Sequence, residues 1–271
     1  MLMDAFNAER FRMVRDRGAM FWGVIFPALF TFGLAFLETL LGLLVKGAPP
    51  TTKTLNLAQA VLHGFNWANA FPIQLFVLLG VSAMFAADYR WETWRLQTPR
   101  NSRANLILAK FMAYALLALV ALLLLALASV LAILLRGVLL GMPFAQFGQG
   151  VTPILLLRGL AAGWLELMVV GSMAALIAIV TRSNMAGLLI PVFISAAQYI
   201  GLAIKQIHPG VATPDLILAF PNLAAQVLRG DALPLHEPGN SLWALLGLTF
   251  WAVLFAVGTL VLFRRQELTR E

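Results

Sequence analysis

The chain has 271 residues, 61% of them hydrophobic and 11% charged, with a formal net charge of +7 and no cysteine; its mean hydropathy is +0.87. Soluble domains carry roughly a quarter charged residues, so a soluble fold is excluded, and the continuous apolar runs do not fit the ~10-residue alternating segments of a membrane β-barrel. The absence of cysteine excludes disulfides and thiolate chemistry. The composition therefore predicts an all-α polytopic membrane protein, a single unit over residues 1–271, in which each crossing takes roughly 20 apolar residues.

Residues 1–18 place Arg10, Arg12, Arg15 and Arg17 among Leu2, Phe6, Met13 and Val14. On a helix Leu2, Phe6 and Met13 share one face, which predicts an interfacial helix lying on the membrane, with Arg17 snorkelling past it. The next apolar run is too long for a signal-peptide core and is expected to stay as span one, about 19–44, with Pro27 inside it and Glu38 near its far end. After KGAPPTTKT, residues 54–68 are too short and polar to cross and are expected as a helix at the outer surface. Span two covers about 69–87. It runs into Phe85–Lys110, a polar passage carrying Arg90, Arg95, Arg100, Arg103 and Lys110. Too charged for lipid and too aromatic for a slack linker, this passage reads as a short cytoplasmic helix that docks on something outside the chain.

Span three, about 105–135, is long enough to require tilt or extension beyond the bilayer. A Gly/Pro/Gln connection (136–152) leads to span four, about 155–181, and a tight turn, TRSN, to span five, about 184–205, which contains Pro191. In residues 206–240 five prolines surround the apolar piece DLILAFPNLAAQVL, expected as one or two short helices dipping into the outer leaflet. Span six covers about 241–263 and ends in Arg264 and Arg265. Six transmembrane helices put both termini on one side. That side carries thirteen Lys and Arg against six on the other, which predicts cytoplasmic termini and a multi-pass protein of the cell inner membrane. In this setting the basic charge reflects topology and not nucleic acid.

No phosphate loop and no H-E-x-x-H are present, and His63, His208 and His236 are scattered, so no catalytic, cofactor or metal residues are assigned. Ser172 has no histidine within the bundle and reads as a packing residue. Ionisable groups within spans are functional candidates by default. Glu166 is the deepest, as a residue of a substrate path or as a carboxylate neutralised by an arginine such as Arg158. Gly159 and Gly163 have the small-xxx-small spacing of close helix packing.

Phe85–Lys110 resembles the corresponding segment of permease subunits of ABC transporters of the ABC-2 type. Asp88 takes the place of an acidic residue and Thr93 that of a threonine, followed by Leu96, Pro99, Ser102, Arg103 and Lys110 in order. Asp88 stands where Glu is usual, and Glu92 where Gly is usual. The resemblance extends to the N-terminal AERFRMVRDR, like the family's elbow helix (1–18), and to ALIAIVTRSNMAG. It implies a non-catalytic permease dimer, homodimeric or with a related chain, surrounded by membrane lipid and driven by a separate ATP-binding subunit that holds ATP and Mg. Residues 88–103 would form a coupling helix. Asp88, Arg90, Trp91, Glu92, Thr93, Trp94, Arg95, Pro99, Arg100 and Arg103 would meet that partner, and an exporter of amphipathic or lipid-like cargo is implied. The alternative is a stand-alone ion- or proton-coupled carrier using Glu166.

Overall fold

A computed structural model of the chain describes residues 2–46, 54–90, 101–145, 150–208, 212–230 and 238–266. Among these the only β pairing is an isolated bridge between Leu55 and Phe144. The first helix, α1 (Leu2–Arg15), buries Ala5, Glu9 and Met13 on one face. Asp16 then accepts a hydrogen bond from Ala19 N at 3.0 Å and starts α2 (Arg17–Leu44), whose residues Phe21–Ile25 wind as a π-helix. Asn56 caps α3 (Leu57–Asn66) by accepting from the amides of Ala58 and Gln59.

A 3₁₀ turn, Trp67–Asn69, follows, with Ala70 in an extended conformation before α4 (Phe71–Arg90). Pro72 lies in the first turn of α4, where its missing N–H costs nothing. The chain bends by 67° across this break. Ser102 caps α5 (Arg103–Leu140), and Gly141, at φ 62°, terminates it. Thr152 caps α6 (Pro153–Thr181) and Ser183 caps α7 (Asn184–Ile204). The apolar piece before the last helix is two helices, α8 (Pro214–Ala219) and α9 (Pro221–Arg229). They are broken at Phe220, held extended by Pro221. The last helix is α10 (Pro238–Arg265).

Among the described residues five helices (α2, α5, α6, α7 and α10) are long and apolar enough to cross a membrane, and six crossings result if the bent pair Leu57–Asn69 and Phe71–Ala86 forms one. At 38 residues α5 spans about 57 Å, well beyond a ~30 Å hydrocarbon core. The central helix is α6: 67% of its most apolar stretch is buried, against 17% for α10 and 22% for α2. It packs against α3, α4, α5, α7, α9 and α10.

Helix α3, expected at the outer surface, is instead wedged between α5 and α6. A Cβ on Gly64 would lie 2.4 Å from Ala126 Cα, and one on Gly163 would lie 2.9 Å from Phe65 O. The Gly159–Gly163 spacing thus serves packing within the chain, admitting Leu62 and Phe65 of α3. Ser172 is likewise a packing residue, buried with its hydroxyl donating to Val169 O at 3.0 Å.

Candidate functional site

Helix α1, the end of α4 and the start of α5 converge on four ionisable side chains. Lys110 Nζ lies 2.7 Å from Asp88 Oδ2 and 3.2 Å from Glu9 Oε2. It also donates to Met84 O at 2.9 Å. Arg12 closes the ring, 2.8 Å from Asp88 Oδ1 and 2.9 Å from Glu9 Oε1. Two acids and two bases cancel. The side chains of Asp88 and Lys110 are fully buried, Glu9 is nearly so, and Arg12 remains 42% exposed. Burial alone would lower the pKa of the Arg12 guanidinium, but the charges of Asp88 and Glu9 more than offset it and hold it above its ordinary value.

A second set of contacts lies at the same end of the bundle. Arg103, at the first position of α5, donates to Arg264 O at 3.0 Å and Gln266 O at 2.8 Å. The last carbonyls of a helix have no intrahelical partner and carry the negative end of its dipole, so Arg103 caps α10. Gln266 accepts from Tyr89 Oη at 2.6 Å and donates to Ile179 O at 2.8 Å. The Arg182 guanidinium lies 5.8 Å from the centre of the Tyr89 ring. The ends of α4 and α5 on either side of residues 91–100 are thereby tied to α1 through Asp88 and Lys110 and to the end of α10 through Tyr89 and Arg103.

Of the expected partner-facing residues, Asp88 and Arg103 are engaged within the chain: Asp88 is buried in the ring, and Arg103 is spent on the end of α10. Arg90 closes α4. Trp91, Glu92, Thr93, Trp94, Arg95, Pro99 and Arg100 lie outside the described residues.

The other buried charge site is in the middle of the molecule. Glu166 stands near the midpoint of the 29-residue α6, about 20 Å along its axis from Pro153. It is 1% exposed and pairs with Arg229, the last residue of α9. Gln74 Nε2 approaches Glu166 Oε1 at 3.5 Å and donates to Ala68 O at 3.1 Å. The partner is not Arg158, which lies about 12 Å away along α6, two turns from the carboxylate. Nearby, Asn222 Nδ2 donates to Ser195 O at 2.7 Å and fixes α9 against α7. Gln74 and Ser195 also line a cavity of about 520 Å³ between α4, α7 and the 3₁₀ turn.

Sequence reasoning missed Glu9 and Arg229. Glu9 and Arg12, three residues apart, share a helix face, a spacing at which opposite charges meet. An acid within a span calls for a base, but Arg229 was disguised by a proline-rich stretch that reads as an outer connection. Among the described residues no cluster of His, Cys, Asp or Glu could hold a metal.

Long apolar helices closed around neutralised, buried charge define an all-α, multi-pass membrane protein. The chain belongs to the family described as protein of unknown function (DUF2705), whose model matches residues 22–269. No curated protein matches it in sequence.

Proposed function

We propose that the chain is the permease subunit of an ATP-driven exporter of the ABC-2 type. In this reading it crosses the inner membrane six times, the bent α3–α4 pair being one crossing, with both termini cytoplasmic. Helix α1 is the interfacial elbow, and residues 88–103 form the coupling helix region. Catalysis resides in a separate ATP-binding subunit that carries ATP and Mg; two permease copies form the pathway.

The observation that carries this reading is the double anchoring of the segment's flanks. Asp88 and Lys110 join α4 to α5 and to α1, while Tyr89 and Arg103 join them to the end of α10, where Gln266 donates in turn to Ile179 O of α6. A force on residues 91–100 is thereby delivered to five helices together, which is what an element biased by both a motor and a pathway requires. Asp88 and Arg103 act as positioning residues, and Trp91, Trp94, Arg95 and Arg100 supply the grip. Aromatic and arginine side chains dominate such interfaces.

The test is purification of the full chain in mild detergent with mass spectrometry of whatever accompanies it. An ATPase is expected with the wild type and lost with R95E/R100E. Undiminished ATPase recruitment by the doubly reversed protein sinks the assignment.

One observation favours the carrier reading: Glu166 is a single hydrogen bond, through Gln74, from the 520 Å³ cavity. Transport without any ATPase, abolished in E166Q and not restored when Arg229 is neutralised as well, would establish it.

A further inference from the structure

A second cavity, of about 540 Å³, lies between α2, α3 and α5 at the end of the bundle away from both termini. Its walls differ from an ordinary lipid-facing groove. Glu38 on α2 and Arg136 on α5 both line it, with Asn66 and His63 of α3 between them. Arg136 stands about 50 Å along α5 from Arg103, and Glu38 about 32 Å along α2 from Arg17. Measured against a hydrocarbon core of ~30 Å, these positions put both charges at the far headgroup layer.

Neither Glu38 nor Arg136 forms an ion pair among the described residues. Arg136 Nε and Asn66 Oδ1 are moreover buried without a hydrogen-bond partner. Buried polar atoms are nearly always satisfied, and charges at the edge of a bilayer are retained where something pairs with them. The cavity therefore offers a fork-shaped cation, a separate anion and a spare acceptor. Toward the bilayer interior the wall becomes less polar, with Leu34, Ala35, Ala132 and Ile133 beside the small hydroxyl residues Thr31 and Ser129.

We propose that this crevice seats the head of a zwitterionic phospholipid bearing a primary ammonium. The phosphate meets Arg136, whose guanidinium matches phosphate oxygens in a bidentate fashion; the ammonium meets Glu38 and Asn66; and the acyl chains leave along Leu34 and Ile133. An anionic lipid such as phosphatidylglycerol satisfies Arg136 with its phosphate but brings no ammonium to Glu38, which stays uncompensated. The site thus selects by net charge and by the ammonium. The inference needs only the membrane, and it stands or falls independently of an ATPase.

The experiment takes the full chain out of vesicles holding equal phosphatidylethanolamine and phosphatidylglycerol and counts the lipid it retains by mass spectrometry. The wild type is expected to favour phosphatidylethanolamine about tenfold, the size of one charge-assisted hydrogen bond. R136Q should lose that retention by a similar factor, and E38Q should keep lipid but lose the preference. Free phosphoethanolamine added in competition should displace little, because the chains contribute to binding. Equal retention of the two lipids by the wild type, the mark of a merely annular lipid, overturns the proposal, as does an unaltered preference in both variants. Should R136Q not fold, E38Q, a change at an exposed side chain, decides alone.

Discussion

The two buried charge sites solve one problem in opposite ways. At the terminal end four groups share charge across three helices, and Arg12 keeps contact with water. In the middle, Glu166 and Arg229 form a single pair with both side chains 1% exposed. A ring with a wet member can rearrange its pairs without stranding a charge. The dry pair keeps no member in contact with water, so it acts as a pin, fastening the short α9 to the centre of the bundle.

The largest effect should come from breaking that pin. Glu166→Gln leaves Arg229 uncompensated and is expected to cost about 3–5 kcal/mol. Replacing both members by apolar residues of similar volume should recover most of it, read as the melting temperature of the detergent-solubilised protein. If the single and double changes are equally damaging, Glu166 does more than neutralise Arg229.

Next is Lys110→Met in the ring, expected to cost about 3 kcal/mol, at the lower end of such losses because Arg12 remains on both carboxylates. Loosening of α1 should appear as faster proteolysis within residues 10–17, and intact protection would dissolve the contrast between ring and pin. Gly64→Ala comes third. Its methyl group would press on the Ala126 backbone, and overpacking of this kind costs about 1–3 kcal/mol, visible as a lowered melting temperature. Arg103→Ala should cost only about 1 kcal/mol, but it should speed hydrogen exchange in the last turn of α10 specifically.

The helices were legible because their signals are local. Runs of apolar residues and the prolines at 214 and 221 each act within a turn of where they stand. The wedging of α3 was not, since it depends on Gly64 and Gly163 meeting the backbones of elements far away in sequence. Glu166 was found because an acid in an apolar run is conspicuous by itself. That an arginine neutralises it was also legible, but not which one, since Arg229 stands 63 residues away and Arg158 is nearer in sequence. The ring at Asp88 was only half legible: Asp88 and Lys110 stood out, yet Glu9 joins them across 101 residues of chain, a distance that no spacing rule reaches.

The seat of α3 has a consequence for how the molecule is made. Its two walls, α5 and α6, both follow it in the chain, so when α3 leaves the ribosome the slot that will hold it does not yet exist. The contacts of α3 with Ala126 and Gly163 can therefore be completed only after both of those later helices have been made.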